Sequence, residues 1–266
     1  EGFLAAAPRL TIVFYGAGSI RGFMTDAAWD RGIRVTSAWA ANAIPVAEFT
    51  IAAMVFGLKE AWKQARLTRE QRTFVRTAEV PGFYRATIGL VSMGMIGRLV
   101  AERLRSFDAR VLAYDPFVSE EEAARYGVRK VTLEEVFGLA DVVSIHTPLL
   151  PETRGMIGRP LLASMKTGAV LINTARGAVI REAELVEVLR QRPDLFAVLD
   201  VTSPEPPPAA SPLYDLPNVF LTPHIAGSAG RECRRMGRYM VEELDRWCQG
   251  LPLRWEITRE RAARMA

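Results

Sequence analysis

Histidine and cysteine are almost absent from this chain, with two residues of each in 266. Cys233 and Cys248 fall in one helix-like segment, and at about 1.5 Å per residue they would lie roughly 22 Å apart, out of disulfide reach. No disulfide framework and no spaced set of metal ligands follows, which points to a reducing cytoplasm. Lysine is scarce as well. Lys59, Lys63, Lys130 and Lys166 stand among 34 basic residues, and the arginines interleave with 30 acids to a net charge of +4. No basic tract is long enough to argue for nucleic acid. Apolar runs are short: none reaches the roughly 18 residues of a membrane span. The longest, 49–58, is bounded by Glu48 and Lys59, as suits a buried helix. No secretory signal pattern opens the chain. What remains is a hydrophobic content of 49% against 24% charged, the balance of a soluble globular protein with one large domain or two ordinary ones.

Residues 10–15 and 33–37 read as strands. Pro45 reads as the first turn of a helix running to about Arg66. The polar, Arg-rich stretch 67–86, with Pro81-Gly82, reads as a domain boundary. A regular alternation follows, with strands over 87–91, 110–114, 141–145, 169–173, 196–199 and 219–221 and helical patterns over 96–106, 119–126 and 182–190. Apolar strands alternating with amphipathic helices predict a parallel sheet covered on both faces. Residues 227–250 read as a last long helix, and the tail with Trp255 as a return to the first domain.

The strand at 87–91 runs into Ser92-Met93-Gly94-Met95-Ile96-Gly97 and then a helix. This is the dinucleotide fingerprint, with Ser92 where its first glycine belongs. Gly94 lets the backbone approach a pyrophosphate, Gly97 lets helix and strand pack closely, and the helix N-terminus offers N–H groups to the anion. Ser92 fits only if its φ suits a residue with a side chain. Asp115 ends the next strand, where an acid grips a ribose 2′-hydroxyl and repels a 2′-phosphate, so NAD is expected over NADP. The plainer reading is a helix-facing turn and a strand-end acid. His224 follows the apolar run 218–221 in Thr222-Pro223-His224-Ile225-Ala226-Gly227. That is a strand's carboxyl end, where open α/β sheets bind ligands, and imidazole trades protons near neutral pH. A lone histidine there reads first as structural, since position alone does not make it catalytic.

Five blocks stand in order: Gly94-Met95-Ile96-Gly97 with Asp115-Pro116; His146-Thr147-Pro148; Asn173-Thr174-Ala175-Arg176-Gly177; Leu199-Asp200-Val201 followed by Pro204-Glu205-Pro206; and Thr222 to Gly227. Together they resemble the D-isomer-specific 2-hydroxyacid dehydrogenases. Gly16-Ala17-Gly18 and Val46-Ala47-Glu48 extend the likeness less sharply. The resemblance implies an α/β fold. A Rossmann-type doubly wound domain is expected over 83–226, and a flavodoxin-like substrate domain, shortened at its N-terminus, over 1–82. Residues 227–266 would return to the substrate domain. It also implies NAD, a small 2-keto or 2-hydroxy acid, a homodimer, and neither nucleic acid nor membrane as partner.

Within that resemblance each site residue takes a role. His224 is the proton donor, and the base in reverse; Glu205 accepts a hydrogen bond from its other ring nitrogen and favours imidazolium. Arg176 holds the substrate carboxylate and polarises the carbonyl, with backbone N–H groups around Ala17 and Gly18 completing that subsite. Asp200 anchors the nicotinamide carboxamide. Met95, Ile96, His146, Thr147, Pro148, Thr174, Ala175, Ala226 and Gly227 line the cofactor groove. Taken singly, Arg176 also reads as a surface arginine, Glu205 as a solvated acid and His146 as a packing residue. Arg181 departs from the acid that relatives carry. Two rivals share the pattern: formate dehydrogenase, which has Gln at the place of Glu205, and non-enzymatic NAD-sensing proteins of the corepressor type.

Overall fold

Short apolar runs become fully buried strands when helices cover both faces of a sheet. The computed structural model describes residues 2–76 and 80–265. Its strands are β1 (Ile12–Tyr15), β2 (Arg34–Ser37), β3 (Thr87–Val91), β4 (Arg110–Tyr114), β5 (Val128–Lys130), β6 (Val142–Ile145), β7 (Val170–Asn173), β8 (Phe196–Leu199), β9 (Val219–Leu221) and β10 (Glu256–Ile257). Contacts sort the chain into two compact units, Glu1–Pro45 with Gly227–Ala266, and Val46–Ala226.

The larger unit holds a seven-stranded, all-parallel sheet in the order β5-β4-β3-β6-β7-β8-β9. Successive side chains on a strand face opposite ways, and here they feed two cores. Val91, Val143, Leu171 and Leu199 join Phe137 and Leu185 on one face. Leu90, Val142, Ile172 and Val198 join Met54 and Leu58 on the other. From β3 the chain first steps outward to β4 and β5, then crosses back to lay β6 on the opposite flank of β3. The carboxyl ends of β3 and β6 therefore form the topological switch point, where such sheets bind ligands.

The helix expected to open at Pro45 instead spans Trp39–Leu58, with Pro45 inside it. The small residues Ala38, Ala40 and Ala41 are buried, and that packing draws the preceding residues into the helix. It stops before Glu60, whose φ of 48° is left-handed, and a separate helix covers Ala61–Gln71. By length and composition Trp39–Leu58 could cross a membrane, but 56% of its apolar window is buried inside the protein. Its second half is a core helix of the larger unit: Gly57 lies so close to Val170 that a side chain there would press on it. The larger unit accordingly begins at Val46, whereas the sequence placed a boundary in the stretch 67–86, of which Thr77, Ala78 and Glu79 lie outside the described residues.

In the smaller unit β1 and β2 run parallel and β10 adds antiparallel to β2. The last long helix is Cys233–Cys248, beginning later than its sequence pattern suggests because Gly230 takes a φ of 53° and a 3-10 turn, Gly230–Glu232, intervenes; a short helix, Arg259–Ala262, follows in the tail. The two cysteines are its first and last residues, exposed and not disulfide-bonded. Glu243 is fully buried on this helix. Its carboxylate accepts hydrogen bonds from Thr36 Oγ1, Arg254 N and Trp255 N, each at 3.0 Å. That contact brings the tail back, and Trp255 stacks on Tyr239 and meets Trp39 edge-on.

His146 continues directly from β6 and is buried. Its Nε2 lies 3.1 Å from Ser144 Oγ, and its Nδ1 has no partner among the described residues. Burial without a counter-charge disfavours imidazolium and pushes its pKa from 6.5 down to about 4. The unfolded chain thus takes up this proton near pH 6.5 and the folded chain only near 4. Stability is full above the first value and falls as pH drops through the window, by about 3 kcal/mol in total. Chemical denaturation from pH 7 to pH 4 should show this loss, and His146→Gln should flatten it. An unchanged slope in that variant would assign the acid sensitivity elsewhere.

Candidate active site

The dinucleotide turn joins β3 to the helix Met95–Leu104. Gly94 is its N-cap and makes no side-chain cap, so the first-turn N–H groups stay available. A Cβ built on Gly94 meets nothing within 4 Å, whereas one on Gly97 would collide with the Ser92 carbonyl. Gly94 borders open space; Gly97 is required by packing. Met95 and Ile96 open the helix, and Ile96 packs into the core. Ser92 adopts a φ of 79°, the left-handed conformation that favours glycine. Asp115, buried at the end of β4, accepts from Met93 N at 2.7 Å and from Phe117 N at 2.8 Å. The acid expected to face a ribose therefore also ties down the turn. His146 lies beneath Gly97, Thr147 is buried beside it, and Pro148 is half-buried. An anion-ready helix start, an open glycine and a buried, unpartnered imidazole nitrogen fit a bound dinucleotide.

Beyond β7 the chain turns at Asn173, which is fully buried. Its Oδ1 accepts from Ala175 N at 3.1 Å and its Nδ2 donates to the Arg176 carbonyl at 3.0 Å. This side-chain turn projects Arg176, while Thr174 and Ala175 are buried; Thr174 Oγ1 lies 3.3 Å from Thr50 Oγ1. The next residue must be glycine, because a Cβ on Gly177 would overlap the backbone of Thr202. That approach brings the turn after β7 against the loop after β8, which carries Glu205.

Arg176 is half-buried, and among the described residues its guanidinium bonds only to the Ala175 carbonyl, at 2.6 Å. Burial pushes its pKa down and the neighbouring Glu205 charge works against that; a guanidinium stays charged regardless. Most of its donor fork is left for an anion. Glu205 Oε1 lies 2.6 Å from His224 Nδ1, and its Oε2 accepts from Thr202 N at 3.4 Å. A carboxylate only accepts, so Nδ1 carries the proton. His224 Nε2 then points away with no protein partner among the described residues. Arg176, Glu205 and His224 thus come together from three strand ends, 29 to 48 residues apart in pairs that include Arg176.

His224 itself is left-handed, with a φ of 55°, and Asp200 holds it there. The Asp200 carboxylate is buried. Oδ1 accepts from Thr222 Oγ1 at 2.6 Å and Ile225 N at 2.8 Å, and Oδ2 from Ala226 N at 2.9 Å. The Asp200 carbonyl accepts from His224 N at 2.9 Å. The residue expected to face the nicotinamide is thus already committed to the loop behind the histidine, with one acceptor position on Oδ2 to spare.

Ala17, Gly18 and Gly227 lie in the smaller unit. The N–H groups of Ala17 and Gly18 donate to no protein acceptor among the described residues, as a carboxylate subsite needs. Asn42 sits against this group: its Oδ1 accepts from Ser228 N at 2.8 Å, and side chains built on Gly18 or Gly227 would touch it. Sequence reasoning missed Asn42 because the helix was begun at Pro45. Asn173 and Thr222 stood inside quoted motifs, and their roles follow only from their hydrogen bonds.

A family model described as D-isomer specific 2-hydroxyacid dehydrogenase, NAD binding domain, matches residues 51–226. D-3-phosphoglycerate dehydrogenase of Archaeoglobus fulgidus is 35% identical over 254 residues, which make up 94% of this chain and 48% of that protein. The chain spans about half the length of the curated relatives it matches. D-lactate dehydrogenase with NAD+ from Lactobacillus jensenii superposes with a TM-score of 0.82 at 26% identity, covering 97% of this chain and 81% of that one. The Aquifex aeolicus D-lactate dehydrogenase complexed with NAD and lactic acid gives 0.75 at 28% identity, covering 94% and 80%. Sheet order, fingerprint turn and sequence thus agree, and the chain belongs to the D-isomer specific 2-hydroxyacid dehydrogenases, with an NAD-binding domain built on its seven-stranded sheet.

Proposed function

We propose that this protein interconverts a small 2-keto acid and its D-2-hydroxy acid, with NAD(H) as the redox partner. The observation that carries the reading is the 2.6 Å contact of His224 Nδ1 with Glu205 beside the half-buried Arg176. NAD(H), when bound, supplies or accepts the hydride at C2. Arg176 binds the substrate carboxylate and orients the adjoining carbonyl, its planar fork matching a carboxylate better than an ammonium would. Glu205 fixes the imidazole so that Nε2 faces the substrate oxygen. In reduction His224 gives the Nε2 proton to that oxygen, and in oxidation Nε2 takes it back. Asp200 keeps the histidine's backbone in place. Asp115 stands where a 2′-phosphate would meet a like charge, which supports NADH over NADPH. A homodimer in a reducing cytoplasm completes the reading.

The relatives named above point to pyruvate-like or phosphorylated three-carbon acids as first candidates. NADH oxidation should be followed with glyoxylate, hydroxypyruvate, pyruvate and phenylpyruvate, and NAD reduction with 3-phosphoglycerate. Turnover on at least one, faster with NADH than NADPH, is expected. Silence on all with NADH binding intact would favour a corepressor-type NAD sensor. Removing general acid–base help lowers rates by roughly 10²–10⁴, so His224→Ala should lose turnover by that factor while still binding NADH; near-normal turnover would remove His224 from the mechanism. Gly177→Ala, which forces the two site loops apart, should lose activity with Arg176, Glu205 and His224 all intact, and full activity there would deny that the loop approach assembles the site.

A further inference from the structure

Ser92 is anomalous twice over. It fills a fingerprint position that calls for glycine, and it does so at a φ of 79°. A side chain held in the left-handed region costs roughly 1–3 kcal/mol unless its surroundings impose it. What surrounds it is a hydrogen-bond chain. Thr147 Oγ1 donates to the Val91 carbonyl at 3.2 Å, and Ser92 Oγ lies 2.9 Å from Thr147 Oγ1. Both contacts are hydrogen bonds at once only when Thr147 gives its one hydroxyl proton to Val91 and Ser92 donates to Thr147. In that arrangement the Ser92 hydroxyl has no proton left to offer a phosphate.

The two residues sit on neighbouring strand ends. Ser92 follows β3 and Thr147 lies just beyond β6, strands paired through Val91 and Ile145. This is the switch point of the sheet, so the bond spans the crevice where the dinucleotide binds. Other contacts hold the same turn from its far side: Ser92 N donates to the Tyr114 carbonyl at 2.8 Å, Met93 N to Asp115, and Arg98 Nε to the Met93 carbonyl at 2.8 Å.

We propose that Ser92 and Thr147 are positioning residues for NAD: their hydroxyl bond clamps the fingerprint turn to the neighbouring strand end and pre-organises it for the pyrophosphate. The clamp does the work that a glycine leaves to the cofactor, which otherwise must order a freer turn on binding. The inference rests on the NAD-binding domain alone and not on the ketoacid reading, so it survives if the substrate proposal fails.

Affinity and stability separate this role from a packing role. Ser92→Gly relieves the left-handed backbone and removes the clamp. It should keep or raise the Tm of the protein without cofactor, yet weaken NADH binding about fivefold, the net worth of one neutral hydrogen bond. Ser92→Ala should lose both Tm and affinity. Thr147→Val should weaken NADH by the same factor as Ser92→Gly, Thr147→Ser should restore it, and the Ser92→Gly/Thr147→Val double variant should lose no more than either single one. NADH binding is read by fluorescence titration of the 266-residue chain without substrate. Undiminished NADH affinity in Ser92→Gly overturns the proposal. So do losses that add in the double variant, which decides the matter if Ser92→Gly lowers the Tm.

Discussion

A buried carboxylate holds the candidate-site end of the larger unit together. Asp200 ends β8, and its two oxygens gather Thr222, Ile225 and Ala226 from the loop that follows β9. Hydrogen bonds to an ionised acceptor are worth roughly 1.5–3 kcal/mol each, enough to keep His224 in a left-handed conformation it would not choose alone. An amide at this position would turn a donor toward backbone N–H groups and break the arrangement. The smaller unit uses the same device: Glu243, also buried, gathers Thr36, Arg254 and Trp255 and so fixes the returning tail.

Parallel strands put their carboxyl ends along one edge, which brings distant residues near one another but does not aim them. Aiming falls to small local features. Asn173 closes a side-chain turn that presents Arg176, and Gly177 admits the backbone of Thr202, so that Glu205 bonds His224 while its charge acts on nearby Arg176. Gly97 does the equivalent for the dinucleotide turn. The glycines that matter here are those that another backbone has to pass.

The sheet was legible because its central strands are buried on both faces and read as continuous apolar runs, while the partly buried 110–114 and 219–221 are still mostly apolar. The runs at 87–91, 110–114, 196–199 and 219–221 fold with those same bounds. The edge strand Val128–Lys130 escaped notice because its three residues include Arg129 and Lys130 and carry no such run. The helix Leu133–Leu139 was announced by a capping box, Thr132 with Glu135, that the apolar pattern overshadowed. Pro45 misled more deeply. Proline favours a first turn, but the buried alanines ahead of it extend the helix back to Trp39. In the site, motif order named Arg176, Glu205 and His224, whereas the holding roles of Asp200, Asn173 and Asn42 follow from contacts that no linear pattern encodes.

The groups that would carry the chemistry are largely distinct from those that hold the site's shape. Arg176, Glu205 and His224 are half-buried or exposed and make few bonds to the protein, while Asp200, Asn173, Gly177 and Asp115 are buried and tie backbone to backbone. Descent can therefore change what this scaffold does by altering a few partly solvated side chains, retuning the reaction or silencing it, without rebuilding the frame that receives the cofactor. Drift at the buried set would dissolve the site along with its chemistry. The same division that makes the active centre assemble makes it replaceable.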